Sequence, residues 1–366
     1  MLFLNILFLN NNKSIIISLE KLNLRLRLDY IIAAILMISF AIIIGLRGEN
    51  VGIDTSAYIR SYNRIANAGS IGMAISISTF SGMGYIIIAW IVSILTNSQV
   101  VFSCLCAVII CFCIYYVNKE VSVNIIFSIF IWQALGLFYF SMNGNRQSIA
   151  AALFVVSYKF FLIDKKVLKS LIVAIIAVSI HPTSVILLSF ILSKLVCEKI
   201  ISEKRLCLIS LVGGVIGGYL FKYGVLLVVK IFPDYQKYIT GEGQKIGIFE
   251  ETGGGRIVLL YIILLLVVVM GIFALKNKKQ FISYKLIPMI LFFLGLAIVN
   301  SRNVYVSRTI NYIFYPLTFI LPNILDGLSD KKIKFILKIT LIIILFMFNI
   351  LLLIENKNGI VPYEFC

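Results

Sequence analysis

Charged residues are scarce in this chain, and one sign dominates them. They make up 13% of the 366 positions, with 33 Lys and Arg against 16 Asp and Glu, while 61% of the residues are hydrophobic. Soluble domains contain about 25% charged and roughly 45–50% apolar residues. The composition therefore excludes an ordinary soluble domain. It predicts an all-α, polytopic integral membrane protein with a single membrane domain over residues 1–366.

The motifs of common catalytic sites are also missing. The sequence contains no HExxH, GxSxG or CxxC pattern, no usable pair of carboxylates, and no P-loop, because no Lys-Ser/Thr pair follows the glycine triplet at 253–255. Four of the seven cysteines lie between Cys104 and Cys113 inside one apolar run. Their spacing distributes them over several helix faces, which favours core packing over metal ligation. We expect no metal and no cofactor.

Apolar segments long enough to cross a bilayer recur along the chain. We predict about eleven or twelve transmembrane helices, with spans at Tyr30–Leu46, Val100–Val117, Val121–Tyr139, Ser148–Ile163, Leu168–Ile180, Ser184–Val196, Leu206–Phe221, Ile257–Leu275, Leu286–Val299, Thr309–Leu325 and Phe335–Ile354. Residues 1–29 are expected to be a cytoplasmic or partial N-terminal segment, with Met1–Leu9 as a partial or interfacial helix. Tyr85–Leu95 is about half a span long, which predicts a re-entrant or interfacial helix.

Lysines indicate the topology. If Tyr85–Leu95 does not cross, the lysine-rich connections at residues 165–169, 199–205, 276–279 and 331–334 all fall on one side. The positive-inside rule makes that side cytoplasmic. Since topology accounts for the basic excess, we expect the lipid bilayer, and no nucleic acid, as a partner.

Arginines follow the opposite trend. Seven of the ten map to the outer side: Arg47, Arg60, Arg64, Arg146, Arg256, Arg302 and Arg308. A guanidinium binds phosphate or carboxylate through two parallel hydrogen bonds and stays charged when partly dehydrated. The distribution therefore favours an anionic ligand on the outer side. The alternative is that these side chains reach lipid headgroups from the interface.

The outer loop 47–84 contains the densest group of polar residues. Asp54 is placed to cap a short helix, and Asp54, Tyr58 and Tyr62 then share one helix face. The alternative is a solvated loop in which Asp54 serves only as a cap.

Two further predicted helix starts contain arginine. Asn145 is a predicted N-cap before Arg146, where an outer turn enters a span. Ser307 likewise precedes Arg308, and Tyr312 lies one turn further along the same face. Free N–H groups at a helix start, together with a guanidinium, form an anion site.

His181, the only histidine, is placed where one span ends on the outer side, and Pro182 opens the next helix. A lone histidine at a helix end is commonly structural. The alternative is a group that transfers protons or binds phosphate. The predicted outer loop 222–256 is rich in tyrosine and glycine, which suits a lid over a sugar chain and equally an ordinary mobile loop.

Four stretches in order resemble the EpsG family, which is grouped with the Wzy-type polymerases of bacterial exopolysaccharide, capsule and O-antigen repeat units. They are Gly45-Leu46-Arg47 with Gly52-Ile53-Asp54-Thr55 and Tyr58, Asn143-Gly144-Asn145-Arg146-Gln147-Ser148-Ile149-Ala150, His181-Pro182-Thr183-Ser184, and Arg308-Thr309-Ile310-Asn311-Tyr312 with Pro316 and Pro322. The similarity covers about residues 30–325. The chain departs from the family at the N-terminus, where a full span is usual.

The resemblance implies a metal-independent membrane glycosyltransferase that joins undecaprenyl-diphosphate-linked oligosaccharides at the outer face of the bacterial cytoplasmic (inner) membrane. Other polysaccharide-assembly proteins are expected as further partners. An O-antigen ligase, a membrane acyltransferase and a lipid-linked oligosaccharide flippase or transporter are the alternatives.

The chemistry of such a transfer suggests roles for the matching residues. The catalytic candidates are Asp54, His181 and Arg146, and the candidates for binding diphosphate and sugar are Arg47, Arg146, Arg308, Tyr58 and Tyr312. Asp54 and His181 compete as the proton acceptor. Because no second carboxylate accompanies Asp54, a direct inverting displacement is favoured over a covalent intermediate.

Overall fold

The computed structural model describes residues 16–19, 24–78, 82–188, 191, 203–231, 287–299, 304–356 and 358–366. The chain divides into two compact units, one formed by Met1–Ile191 with Phe314–Cys366 and the other by Leu192–Ile313.

The described chain is helical apart from one short β-hairpin, which confirms the all-α class. In order, its elements are β1 (Ile16–Leu19), β2 (Leu24–Arg27), α1 (Leu28–Gly45), α2 (Thr55–Ala66), α3 (Ile71–Ile77), α4 (Met83–Leu95), α5 (Gln99–Val121), α6 (Ile125–Ala134), α7 (Leu137–Asn143), α8 (Asn145–Tyr158), a π-helical turn (Lys159–Ile163), α9 (Val167–Ile180), a 3₁₀ turn (Pro182–Ser184), α10 (Glu203–Ile231), α11 (Ile287–Val299), α12 (Val304–Asp326) and α13 (Lys331–Glu355).

Polar caps define where several of the helices begin. Ser98 before α5 and Asn124 before α6 each accept a hydrogen bond from an N–H in the first helical turn. Asp330 accepts two such bonds at the start of α13. These side chains satisfy donors that have no partner within the helix, so the boundaries follow from short-range chemistry.

Four helical segments in the described part of the chain are long and apolar enough to cross a membrane: α1, α5, α13 and Asn145–Ile163, which combines α8 with the π-helical turn. The pair α6 and α7 becomes a fifth if counted as one bent span. All coincide with predicted spans, and they confirm a multi-pass helical membrane protein. The full number of crossings stays a prediction, because Ile257–Leu275 and parts of other predicted spans lie outside the described residues.

Helix α4 is shorter than a membrane span. Its 13 residues measure about 20 Å at 1.5 Å per residue, whereas the hydrocarbon core is about 30 Å thick. The length agrees with the prediction that this segment does not cross by itself.

The predicted span Val121–Tyr139 is not one straight helix in the structure, because it is broken between α6 and α7. Helices α6 and α7 meet at an angle of 55°, and the residue before α7 is Gly136 in the left-handed region, with φ of 76°. Gln133 Nε2 donates to the Tyr139 hydroxyl at 3.0 Å, and this hydroxyl donates to Asn349 Oδ1 at 3.1 Å. A glycine that permits the turn and polar groups that satisfy one another make a broken helix tolerable inside a membrane.

In the first unit Arg47 and Arg146 lie at the end opposite Lys119, whereas Arg27 lies with Lys119 beside the Tyr30 ring. Helices α1 and α5 run antiparallel, since Gly45 at the end of α1 abuts Cys104 near the start of α5, and Tyr115 near the end of α5 donates to the Tyr30 carbonyl at 3.4 Å. Lys119 lies 5.4 Å from the Tyr30 ring centroid, at the start of α1. We call this the lysine end, and the opposite end, where α1 finishes and α8 begins, the arginine end.

The structure corrects one prediction about a connecting segment and describes part of the N-terminal segment. The predicted loop 222–256 is helical at its start, because the apolar run up to Ile231 continues α10; residues 232–256 lie outside the described chain. Residues 16–27 form an antiparallel hairpin in which Ile16 pairs with Arg27. Its second strand, Leu24–Arg27, alternates apolar and charged residues with the period of a strand. Met1–Leu9 lies outside the described residues.

We predict that Gly45→Ala destabilises the protein. A Cβ at this position would lie 2.7 Å from Cys104 Sγ and 2.8 Å from Cys104 Cα, so α1 and α5 must move apart. Overpacking of this kind costs about 1–3 kcal/mol and outweighs the gain in helix propensity. Thermal unfolding in detergent should show a lower midpoint. Ile42→Ala, on an exposed face of α1, is the control, and an unchanged midpoint for Gly45→Ala contradicts the prediction.

Candidate active site at the arginine end

Arg47 lies in the loop that follows α1, and only 4% of it is exposed. Its Nη1 donates to the Ile44 carbonyl at 2.5 Å, and its Nε donates to Thr55 Oγ1 at 3.2 Å. The Thr55 hydroxyl donates its own proton to the Val51 carbonyl at 2.5 Å, which leaves an oxygen lone pair for Arg47. The guanidinium is therefore held by neutral groups at the end of α1.

No carboxylate neutralises this buried charge within the described residues. The ion pairs there join Arg27 to Asp29, Lys159 to Asp164 and Lys334 to Asp326, and none involves Arg47. Burial lowers the pKa of the Arg47 guanidinium, although arginine remains protonated in proteins. A buried cation with neutral partners creates a strong positive potential, which favours an anion nearby.

Asp54 immediately precedes α2, as predicted, but its carboxylate makes no capping hydrogen bond to that helix. Its backbone N–H donates instead to Asn143 Oδ1 at 3.0 Å. Gly52, with φ of 92°, leaves no room for a side chain, since a Cβ would lie 2.8 Å from the Met142 carbonyl oxygen. The end of α7 thus fixes this loop, and Asp54 is half-buried beside it.

Arg146 lies in the first turn of α8 and is half-exposed. The predicted N-cap role of Asn145 is wrong, because Asn145 is the first helical residue and Gly144 precedes it as the cap. The Asn145 side chain is buried, and its Oδ1 accepts no hydrogen bond within the described structure. The Arg146 Cζ lies 5.8 Å from the centre of the Tyr85 ring.

Tyr85 lies close to both Arg47 and Arg146. Its phenol is close enough to Arg47 and Arg146 for both charges to act on it, and its ring centroid lies 6.1 Å from that of Tyr58. We call Arg47, Tyr58, Tyr85 and Arg146 the arginine–tyrosine cluster. Three of its members were predicted from the sequence. Tyr85 was missed, because it lies among apolar residues in α4 and resembles an ordinary core aromatic.

The remaining polar residues of α2 face elsewhere. Tyr62 is buried, stacks on Phe102 with a centroid distance of 4.8 Å, and donates to the Thr96 carbonyl at 2.7 Å. Arg60 and Arg64 are exposed. Tyr62 therefore anchors α2, whereas the half-exposed Tyr58 is the accessible aromatic residue on this helix.

His181 ends α9, and the 3₁₀ turn begins at the next residue, as the sequence predicts. Its Nδ1 lies 2.7 Å from Thr183 Oγ1. The preceding Ile180 carbonyl occupies the space where Gly82, just before α4, would carry a Cβ. His181 therefore lies at the arginine end, close to the start of the helix that contains Tyr85.

Arg308 and Tyr312 belong to the second compact unit. Helix α12 begins at Val304, so Ser307 is not its N-cap and Arg308 does not open it. Tyr312 is 1% exposed. That these two residues join the site stays a prediction.

The described residues offer little to a metal ion. No group of three or more His, Cys, Asp or Glu side chains in that part of the chain could hold one. Cys106, Cys111 and Cys113 are buried as free thiols, and Cys104 is half-buried. The polar groups described at the arginine end are the guanidinium groups of Arg47 and Arg146, the Asp54 carboxylate, the His181 imidazole and the phenols of Tyr58 and Tyr85.

We predict that Thr55→Val destabilises the protein and that Thr55→Ser does not. Valine has nearly the shape of threonine but leaves the buried Arg47 Nε without its acceptor, and an unsatisfied buried group costs about 1–3 kcal/mol, with more for charged groups. Serine keeps the hydroxyl. Chemical unfolding monitored by intrinsic fluorescence checks the difference. Equal stability of the two variants would show that the Thr55 hydroxyl does not support Arg47.

The comparisons with known proteins identify a family for the chain. The model of the EpsG family matches residues 30–365, which is nearly the whole chain. No curated protein and no solved structure matches the chain. The matched range contains every residue of the arginine–tyrosine cluster. The chain belongs to the EpsG family, a family of Wzy-like polysaccharide polymerases.

Proposed function

We propose that the protein is a membrane glycosyltransferase that polymerises oligosaccharide repeat units carried on undecaprenyl diphosphate. Family membership supports an exopolysaccharide polymerase-like role. The observation that carries the finer proposal is the buried charge of Arg47, which lies beside Tyr85 and Arg146 with no carboxylate partner among the described residues. A diphosphate fits this site because guanidinium groups bind phosphate oxygens.

In the proposed reaction the growing glycan moves from its lipid carrier to an incoming repeat unit. The bond between the anomeric carbon and the diphosphate oxygen breaks, and the electron pair leaves with the lipid diphosphate. A hydroxyl oxygen of the acceptor sugar forms the new bond to the anomeric carbon, and its proton passes to a base. Negative charge therefore grows on the diphosphate in the transition state.

Arg146 and Arg47 would stabilise this negative charge in different ways. Arg146 is half-exposed in the first turn of α8, where its guanidinium can contact a phosphate oxygen. Arg47 is held rigidly by Thr55 and Ile44. A fixed cation in a poorly solvated place acts strongly on developing charge, because little reorganisation is needed when the charge appears.

Asp54 is the favoured proton acceptor. It lies half-buried on the loop that contains Arg47, and Asn143 holds its backbone. His181 competes for the role, and its Nδ1 lies 2.7 Å from the Thr183 hydroxyl. With one carboxylate in this position, direct displacement with inversion is the simplest course.

The orientation of the first unit supports a site on the outer face of the cytoplasmic membrane. The arginine–tyrosine cluster lies at the end where α1 finishes and α8 begins, while Lys119 and Lys159 lie near the opposite ends of these helices. The positive-inside rule assigns the lysine end to the cytoplasm. The cluster then faces the compartment in which the lipid-linked units are joined.

We predict that Arg146→Ala lowers polymer formation by about a hundred- to a thousandfold, the usual effect of removing one donor that stabilises developing charge. Arg146→Lys keeps the charge but loses the planar fork, so an intermediate rate is expected. The measurement is the lipid-linked glycan profile of deletion cells complemented with each variant at equal membrane levels.

Arg60→Ala is the matched control, because Arg60 is an exposed arginine on α2 outside the cluster. Normal polymer in the Arg146→Ala cells contradicts the site assignment. Single repeat units trapped on the cytoplasmic face would favour a flippase. Normal polymer that fails to reach its final acceptor would favour a ligase.

We predict that Asp54→Asn abolishes polymer formation while leaving binding of the lipid-linked unit nearly unchanged. The amide keeps the size of the carboxylate and cannot accept the proton. We therefore expect kcat to fall and KM to stay nearly unchanged. A general base typically contributes about a hundred- to ten-thousandfold in rate. Purified protein assayed with a lipid-linked repeat unit gives both constants. A greater loss for His181→Gln than for Asp54→Asn would assign the base to His181.

A further inference from the structure

Residues 358–366, which follow α13, pair with the loop that contains Arg47. Arg47 and Phe365 form an antiparallel bridge. The Gly48 N–H donates to the Glu364 carbonyl at 2.7 Å, and the Cys366 N–H donates to the Leu46 carbonyl at 3.0 Å. Two backbone bonds thus bracket Arg47, one on each side of it along the chain.

The same segment holds the next turn of the loop. The Gly52 N–H donates to the Gly359 carbonyl at 2.7 Å, and the Ile53 N–H donates to the Asn358 carbonyl at 3.3 Å. The Tyr363 hydroxyl donates to the Ile43 carbonyl, in the last turn of α1, at 2.6 Å. Segment 358–366 therefore contacts the loop from the end of α1 to the residue before Asp54.

Asn356 shapes this segment. It ends α13 in the left-handed conformation, with φ of 41°. Its Oδ1 accepts from the Ile360 N–H at 2.8 Å and the Val361 N–H at 3.0 Å, and its Nδ2 donates to the Val361 carbonyl at 2.7 Å. Gly359 has φ of 63°, and a Cβ there would lie 3.0 Å from Ile53 Cγ1. One asparagine and one glycine thus turn the chain back onto the loop.

The loop makes few backbone hydrogen bonds of its own. Within residues 46–55, Val51 bonds to Gly48 and Thr55 bonds to Gly52. Segment 358–366 supplies four further backbone bonds. The backbone position of Arg47 therefore depends on this pairing. A misplacement of about 1 Å in a catalytic group can lower a rate about 100-fold, so the pairing matters for the proposed reaction.

We infer that segment 358–366 positions Arg47 for its ligand, with Asn356 and Gly359 as positioning residues. This rests on the proposed function, because it assigns a part of the same site. No group of the segment enters the reaction. Its contribution is to hold the backbone of Arg47 and Gly52 in the conformation that the cluster requires.

The test compares the full chain with a chain that ends at Lys357, which lacks the whole segment, and with Asn356→Gly, which keeps the backbone conformation and removes three side-chain hydrogen bonds. Val361→Ala is the matched control, since the Val361 side chain is 49% exposed. Hydrogen–deuterium exchange of purified protein reports on the amides of Gly48, Gly52 and Ile53 directly.

Loss of the segment should speed exchange of these three amides by at least about tenfold while α5 and α8 stay protected. It should lower kcat/KM per folded molecule about 100-fold. Val361→Ala should match the wild type in both readouts. Unchanged exchange in the loop, or unchanged kcat/KM per folded molecule, overturns the inference. So does faster exchange throughout the helices together with a matching loss of folded protein.

A separate arm measures binding of inorganic pyrophosphate by calorimetry. Weaker binding after truncation supports positioning of Arg47 toward a diphosphate. Faster loop exchange in a protein that binds no pyrophosphate and makes no polymer, even as wild type, supports the anchoring of the loop and overturns the proposed function. The failure of one proposal is thereby distinguished from the failure of the other.

Discussion

The structure of the arginine end depends on the burial of one guanidinium, that of Arg47. Removing the Arg47 charge from water is unfavourable unless its donors find acceptors. The Ile44 carbonyl provides one at the C-terminal end of α1, where the helix dipole also places partial negative charge. Thr55 provides the other. The charge is thus tolerated without a carboxylate among the described residues. Its positive potential can therefore act on an anionic ligand in the site.

The site depends on helix ends that come from distant parts of the sequence. Asn143 at the end of α7 holds the Asp54 backbone, and Tyr85 on α4 lies within electrostatic range of Arg47 and Arg146. Close packing also joins α1 to α5, where Gly45 contacts Cys104. Rigid helices therefore set the site geometry, and the loop between Arg47 and Asp54 only has to be held at its edges.

The sequence predicts those features that short-range physics determines. Long apolar runs locate α1, α5 and α13, and His181 with Pro182 marks the end of α9, because hydrophobicity and proline act locally. The break before Gly136 escapes this reasoning, since its polar groups are satisfied by Asn349, more than 200 residues away. The same limit hides Tyr85, whose neighbours in sequence are apolar. It also hides the pairing of residues 358–366 with the Arg47 loop, because carbonyl and N–H groups leave no pattern in the sequence.

The unequal burial of the two arginines bears on how the proposed site would work. A charge pair interacts several times more strongly in a poorly solvated environment than in water, so Arg47 can act on a diphosphate without touching it. Arg146 is half-exposed, and water screens its charge until a ligand displaces that water. Direct hydrogen bonds are then its main contribution. If both arginines were buried, an empty site would hold two uncompensated charges in low dielectric, which is strongly unfavourable. In the proposed site, one fixed cation and one accessible cation would avoid that penalty while still presenting two charges to the same anion.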